Sequence, residues 1–216
     1  MQMPFTVEQF FEVFRRYNDA VWPAQVVAVV DAFIAIGAAL RGGRRANRLI
    51  AIVLAALWFW MGAVYHLQFF RQVNPAAVLF GVTFLIQATL FVWLGVAHDR
   101  LTFDPRLDVA GVLGSALIVY SLAVYPMLGS AFGHSYPASP TFGLPCPTTI
   151  FTLGLLLWAR PRVPIALLVV PIAWAVIGTM AAVQLGVGED FGLAVSALAS
   201  LPLLLRQGRQ LEPRPA

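Results

Sequence analysis

Between Ala20 and Leu205 the chain is a succession of long apolar runs, parted by short connections that carry most of the arginines. An uncharged run of about 20 residues matches the roughly 30 Å of hydrocarbon that a helix must cross. Seven apolar segments are predicted, most of them that long, at Ala20–Leu40, Leu49–Phe70, Pro75–Ala97, Val109–Phe132, Phe142–Ala159, Val163–Leu185 and Phe191–Leu205. Inside hydrocarbon a segment has to satisfy its own backbone hydrogen bonds, so the expected fold is all-α. It is a single seven-helix transmembrane domain over 20–205 in a polytopic membrane protein. Composition agrees, because 60% of the 216 residues are hydrophobic and only 11% charged. Water-soluble domains run nearer half and a quarter.

The arginines set the topology. With seven crossings, one side receives Arg41, Arg44, Arg45, Arg48, Arg100, Arg106, Arg160, Arg162, Arg206, Arg209 and Arg214; the other receives only Arg15, Arg16 and Arg71. If the fifth segment did not cross, Arg160, Arg162 and the C-terminal arginines would change sides and the bias would vanish. Positive charge stays cytoplasmic, so the N-terminus is expected outside and the C-terminus, with the tail 206–216, inside. The net charge of +4 therefore reports membrane flanks and gives no reason to expect nucleic acid.

Residues 1–19 are not a signal peptide, since acids and arginines interrupt them. Thr6 to Gln9 fits a capping box, and Val7, Phe10, Phe11, Phe14 and Tyr17 follow at helical spacing opposite Glu8, Glu12, Arg15 and Arg16. The pattern predicts an amphipathic helix that lies in the membrane interface or caps the bundle.

The stretch 132–149 holds four prolines, the only cysteine and His134, with no formal charge. For the fifth helix to span, Pro145-Cys146-Pro147 must sit at membrane depth. Irregular backbone survives there only under protein or in a wet cavity. The stretch is expected to be a re-entrant segment or broken helix start; an ordered outer loop is the alternative. Trp58-x-x-x-Gly62 with Gln68 matches Trp174-x-x-x-Gly178 with Gln184, and Phe80-Gly81 matches Phe191-Gly192. These matches fit a parallel three-plus-one-plus-three repeat about the fourth span.

Candidate functional residues are the polar side chains inside the runs. Asp31 stands eleven residues into the first run, near the bilayer midplane, where a lone carboxyl is a functional-site hypothesis by default. Gln87, Tyr120, Ser121, Ser196 and Ser200 fall at a similar level; Tyr65, His66, Tyr125, Thr149, Thr152, Thr179 and Gln184 lie nearer the outside. The cytoplasmic half is almost purely apolar, as an outward-opening cavity requires, although small hydroxyl residues also join helices. Together with His134 and Tyr136 of the outer stretch, Asp31, Tyr65, His66, Gln87, Tyr120, Tyr125, Thr149 and Thr152 make up the expected ligand or ion path.

His66, His134, Cys146, Glu189 and Asp190 share one side and form a possible transition-metal ligand set, though without a compact motif. His66 and His134 are also possible haem ligands. Glu189 and Asp190 equally suit a helix N-terminus, and Cys146 a small buried residue. His98, in His98-Asp99-Arg100, reads as interfacial. The absence of lysine excludes Schiff-base chemistry and retinal attachment on a lysine. The single cysteine excludes an internal disulfide or paired-thiol motif.

Three blocks resemble a family of bacterial membrane proteins catalogued only as a domain of unknown function: Met3-Pro4-Phe5-Thr6-Val7-Glu8-Gln9-Phe10 through Trp22-Pro23, Gly62-Ala63-Val64-Tyr65-His66, and Gly143-Leu144-Pro145-Cys146-Pro147-Thr148-Thr149. The resemblance spans nearly the whole chain. It implies a multi-span protein of the bacterial inner membrane and carries no activity. Seven-span ceramidase-like hydrolases are not matched, because no His-x-x-x-His pair exists.

The residues thus point first to a transporter or small-ligand- or ion-binding protein with an outward-facing polar site. The alternatives are a metal- or haem-binding membrane enzyme or redox protein, and an accessory subunit of a larger membrane complex. The partners expected are the lipid bilayer, a small molecule or ion, and a homo-oligomer or larger membrane complex. No Gly-rich phosphate loop supports a nucleotide-driven pump.

Overall fold

The computed structural model describes residues 4–209. Met1 to Met3 and the last part of the predicted tail, 210–216, lie outside the described residues. The described chain is all-α apart from one pair of two-residue strands. We label the helices α1 (Val7–Val21), α2 (Ala24–Arg41), α3 (Arg44–Gln72), α4 (Ala77–Ala97), α5 (Val109–Ala131), α6 (Pro145–Leu157), α7 (Ala166–Leu185) and α8 (Phe191–Arg209). Six stretches, α2 to α5, α7 and Gly188–Arg206, are long and apolar enough to cross a membrane.

Helix α1 begins where its capping box predicts. The Thr6 N–H donates to Gln9 Oε1 at 2.9 Å and the Gln9 N–H donates to Thr6 Oγ1 at 3.2 Å. The helix runs two residues past the expected Asp19, and a break at Trp22-Pro23 separates it from α2. Its apolar face is buried by protein: Phe10, Val13, Phe14 and Tyr17 pack with Tyr65, Phe70, Leu144 and Ala182. The Trp60 indole N–H donates to the Tyr17 hydroxyl at 2.7 Å. Burial pushes that phenol up to about 12. Helix α1 therefore caps one end of the bundle, and its charged face points away from it.

The other end is where the arginines lie. Gly42 and Gly43, at φ +68° and +94°, make the tight turn between α2 and α3 in a conformation other residues rarely adopt. Arg44 and Arg48 both reach Asp99, at 2.6 and 2.7 Å. Their hydrogen bonds, Arg48's first, hold the Asp99 carboxyl well below the usual carboxylate range. Strands β1 (Thr102–Phe103) and β2 (Ala159–Arg160) pair antiparallel here, and Arg160 reaches Asp108. The Asn47 side chain ties the layer to α3 by accepting the Phe103 N–H at 3.0 Å.

The fifth apolar segment departs from expectation. Helix occupies only Pro145–Leu157 of the predicted Phe142–Ala159, about 20 Å at 1.5 Å per residue. Helix α6 lies at the centre, with every residue from Pro147 to Leu157 buried. That explains its lack of an amphipathic pattern, since a helix enclosed on all sides is apolar all round. Pro145 and Pro147 occupy its first turn, where a missing N–H costs nothing. It runs antiparallel to α5, and the two approach through glycine. A Cβ on Gly114 would stand 2.7 Å from the Gly154 carbonyl oxygen, and one on Gly154 2.9 Å from that of Gly114. Close approach of backbones is how helices gain contact energy in lipid, where apolar burial alone discriminates little. The Trp158 indole N–H donates to the Gly111 carbonyl at 3.1 Å, and Trp158 is followed directly by β2 in the arginine-bearing layer. The far end of α6 stops at the depth of Tyr125, short of the end of α5. Residues 132–144, irregular and bound to α1, fill that gap.

Candidate functional site

The capped half of the bundle gathers the polar groups. Two of the long helices relax there into wider π turns, at Met61–Phe69 and Tyr120–Val124, while a third such turn, Phe91–Ala97, leads into the arginine-bearing end. Such turns often accompany functional sites. Tyr65, His66, Tyr120 and Ser121 belong to them.

A 3-10 turn over Gly188–Asp190 leads into α8 and places Glu189 and Asp190 at its positive end. Both are buried, at 0% and 4% exposure, so the arrangement is more than solvated helix capping. His134 Nδ1 donates to the Glu189 carboxylate, 2.9 Å from one oxygen and 3.1 Å from the other. The Tyr120 hydroxyl donates to the Glu189 backbone carbonyl at 2.7 Å. Gly129 gives this carboxylate room: a Cβ there would lie 3.1 Å from Glu189 Oε1. The Tyr125 hydroxyl donates to Asp190 Oδ1, and the Cys146 thiol adjoins the same carboxyl.

The two neighbouring carboxylates face different spaces. Asp190 lines a cavity of about 330 Å³ with Tyr65, Phe80, Cys146 and Trp174, roofed by Phe10 and Phe14 of α1. Glu189 lines another, of about 570 Å³, with Tyr125, His134 and the rim residue Tyr136. Tyr136 is more than half exposed.

The irregular segment that closes this end is tied to α1 by the side chain of Asn18. Asn18, fully buried on the apolar stripe of α1, donates from Nδ2 to the Pro137 and Ser139 carbonyls at 2.6 and 2.8 Å. Its Oδ1 accepts the Thr141 hydroxyl at 2.9 Å and the Gln25 amide at 3.2 Å. Asn18 is absent from the expected site. Its signal in the sequence is a polar residue four positions after Phe14, on the stripe the phenylalanines define.

Other expected site residues serve the fold. Thr152 accepts the Trp58 indole N–H at 3.0 Å, and the Gln87 amide donates to the Leu167 carbonyl at 3.1 Å, each joining two elements. Ser121, Ser196, Ser200 and Thr179 donate to carbonyls of their own helices. Thr149 is buried with no partner for its hydroxyl. His66 is fully buried among Tyr65, Phe70, Phe80, Phe84 and Trp174, and neither ring nitrogen has a hydrogen-bond partner.

The structure separates several of the expected site residues. The set His66, His134, Cys146, Glu189 and Asp190 does not assemble as metal ligands: among the described residues no three His, Cys, Asp or Glu side chains converge on one point. Aromatic rings wall off His66, while Glu189 engages His134. Neither described cavity is lined by both histidines. Asp31, expected on the same path, stands apart on α2, half-buried at the edge of a helix whose Val27, Val30, Phe33 and Ile34 face outward. Among the described residues it has no hydrogen-bond or ion-pair partner.

A family model described as a family of unknown function (DUF6064) matches residues 7–213. No curated protein and no solved structure matches the chain.

Proposed function

We infer that this chain, which belongs to the DUF6064 family of unknown function, is a seven-span protein of the bacterial inner membrane that binds or transports a small molecule or ion from the outside. The observation that carries the reading is the buried Glu189-Asp190 pair, whose members open onto two separate cavities, the Asp190 cavity lying beneath α1. Buried carboxylates are costly in a membrane protein and mark ligand or proton pathways. No arginine pairs with either among the described residues, so the site favours cationic or protonated occupants.

Topology rests on the arginine layer. Helix α6 supports a fifth crossing in which 132–144 supplies the missing outer length as a re-entrant cover. The C-terminus then lies inside with the arginines and α1 outside. The repeat draws support from packing: a Cβ on Gly62 would meet Gly81 of the next helix at 2.9 Å, and one on Gly178 would meet Leu193 of the next helix at 2.6 Å.

The single cysteine makes the reading testable. Cys146 lines the Asp190 cavity and is partly exposed. A charged, membrane-impermeant methanethiosulfonate reagent is expected to modify it from the periplasmic side roughly tenfold or more faster than from the cytoplasmic side, because hydrocarbon excludes the charge. Modification confined to the cytoplasmic side would reject an outward-facing site.

Asp31 favours a second reading, membership of a homo-oligomer or larger membrane complex. An unpaired carboxyl at mid-span on a peripheral helix has a natural use in binding another helix. Asp31→Leu is expected to weaken association roughly fivefold, the equivalent of about 1 kcal/mol of interhelical hydrogen bonding. Native mass spectrometry measures it, and a wild-type protein that is already monomeric would exclude the idea.

A further inference from the structure

We propose that the ligand of the Asp190 cavity is a small organic monocation, an amine or quaternary ammonium carrying an acceptor oxygen of the choline type. The proposal rests on the ligand-binding reading above and names the class of occupant. Three features of the cavity lead to it.

Its walls are aromatic. Phe10 and Phe14 come from α1, Tyr65 from α3, Phe80 from α4 and Trp174 from α7. Phe80 and Trp174 meet at 5.4 Å and 76°, and Phe14 and Tyr65 lie 6.2 Å apart. Rings from several directions supply the negative faces from which an aromatic cage is made, and such a cage attracts an alkylammonium ion.

A carboxyl without a cation lies against these walls. Asp190 is 4% exposed and, among the described residues, makes no ion pair. Its neighbour Glu189 has His134. The Tyr125 hydroxyl solvates Asp190 without neutralising it. With no lysine in the chain and the arginines of the core layer at the opposite end, the balancing charge has to arrive with a ligand or a proton. Buried charges persist where they are paired.

The third feature is an indole donor without an oxygen acceptor. Trp174 is 7% exposed, lines the cavity, and among the described residues its Nε1 has no oxygen or nitrogen partner, only the Cys146 thiol near it. The Nε1 lies beside Gly178 and Cys146 Sγ, both also at the cavity wall. A ligand oxygen next to the cationic centre would satisfy it. A bare inorganic cation would leave both the indole N–H and the ring faces unused, and a neutral apolar ligand would leave the carboxyl uncompensated.

The test compares choline with 3,3-dimethylbutan-1-ol, which has the same shape and hydroxyl but no charge. Equilibrium dialysis on purified full-length protein measures binding. Protection of Cys146 from the neutral reagent methyl methanethiosulfonate gives a second readout. Choline is expected to bind about tenfold or more tightly than the isostere, with charge and ring faces acting together. Asp190→Asn should abolish that preference. Phe14→Leu, which keeps bulk but removes a ring face, should weaken choline severalfold and leave the isostere unchanged, so the proposal remains testable if Asp190→Asn does not fold. Equal binding of the two compounds, or no choline binding and no protection, overturns the cation assignment. Either result leaves the outward-facing site itself standing if the impermeant reagent still reaches Cys146 from the periplasmic side.

Discussion

Asn18→Ala is expected to free the 132–144 segment from α1 and to destabilise the protein by about 3 kcal/mol, since several buried polar groups lose partners at 1–3 kcal/mol each and water recovers part of the loss. The amide of Asn18 uses both its N–H donors and both acceptor positions, on Pro137, Ser139, Thr141 and Gln25. None of these groups has secondary structure to fall back on except Gln25. Asn18→Asp is expected to be at least as damaging, because a carboxylate cannot donate and would face two carbonyl oxygens. Limited proteolysis, with cleavage appearing between His134 and Phe142, and a lower melting temperature in detergent would register the effect. Unchanged proteolysis in both variants would show that α1 is held to the segment by its phenylalanines alone.

Gly154→Leu is expected to prevent folding. The added side chain enters where Gly114 O and Ile118 Cγ1 already stand 2.9 Å from the Cβ position. Helix α6 has no free side toward which to move, being buried all round. Overpacking costs about 1–3 kcal/mol where a core relaxes, and here relaxation would also break the Trp158–Gly111 hydrogen bond. Size-exclusion chromatography should give aggregate in place of a monodisperse peak. Gly37→Leu is the counterpart: nothing lies within 4 Å of a Cβ at Gly37, and that variant should elute as wild type. A monodisperse Gly154→Leu protein would mean that the α5–α6 contact tolerates separation.

Much of the fold was legible because membrane solvent makes strong local demands. A run such as Ala166–Leu185 must be helical whatever surrounds it, and the Thr6–Gln9 capping box closes on its own residues. Glu189 and Asp190 were legible as candidates because carboxyl groups are rare in such a chain. Which face of each helix turns inward was not. In lipid both faces of a helix are apolar, so periodicity loses the information that it carries in a water-soluble protein. Asp31 is the example: its depth could be counted, but only packing put it on the edge of α2. His66 is another, since its place in the run Leu49–Phe70 says nothing of the rings that enclose it.

The chain by itself determines an all-α membrane architecture, its apolar segments, the one-sided arginines and the polar character of one half. Each follows from hydrocarbon thickness and the cost of unpaired backbone, which any single segment feels alone. Tertiary structure decided that α6 is short and central, that α1 covers the Asp190 cavity, and that Glu189 and Asp190 line separate cavities. Those outcomes depend on glycine-mediated helix contacts and on side chains such as Asn18 that bind across more than 100 residues, and no local pattern records a partner at that distance.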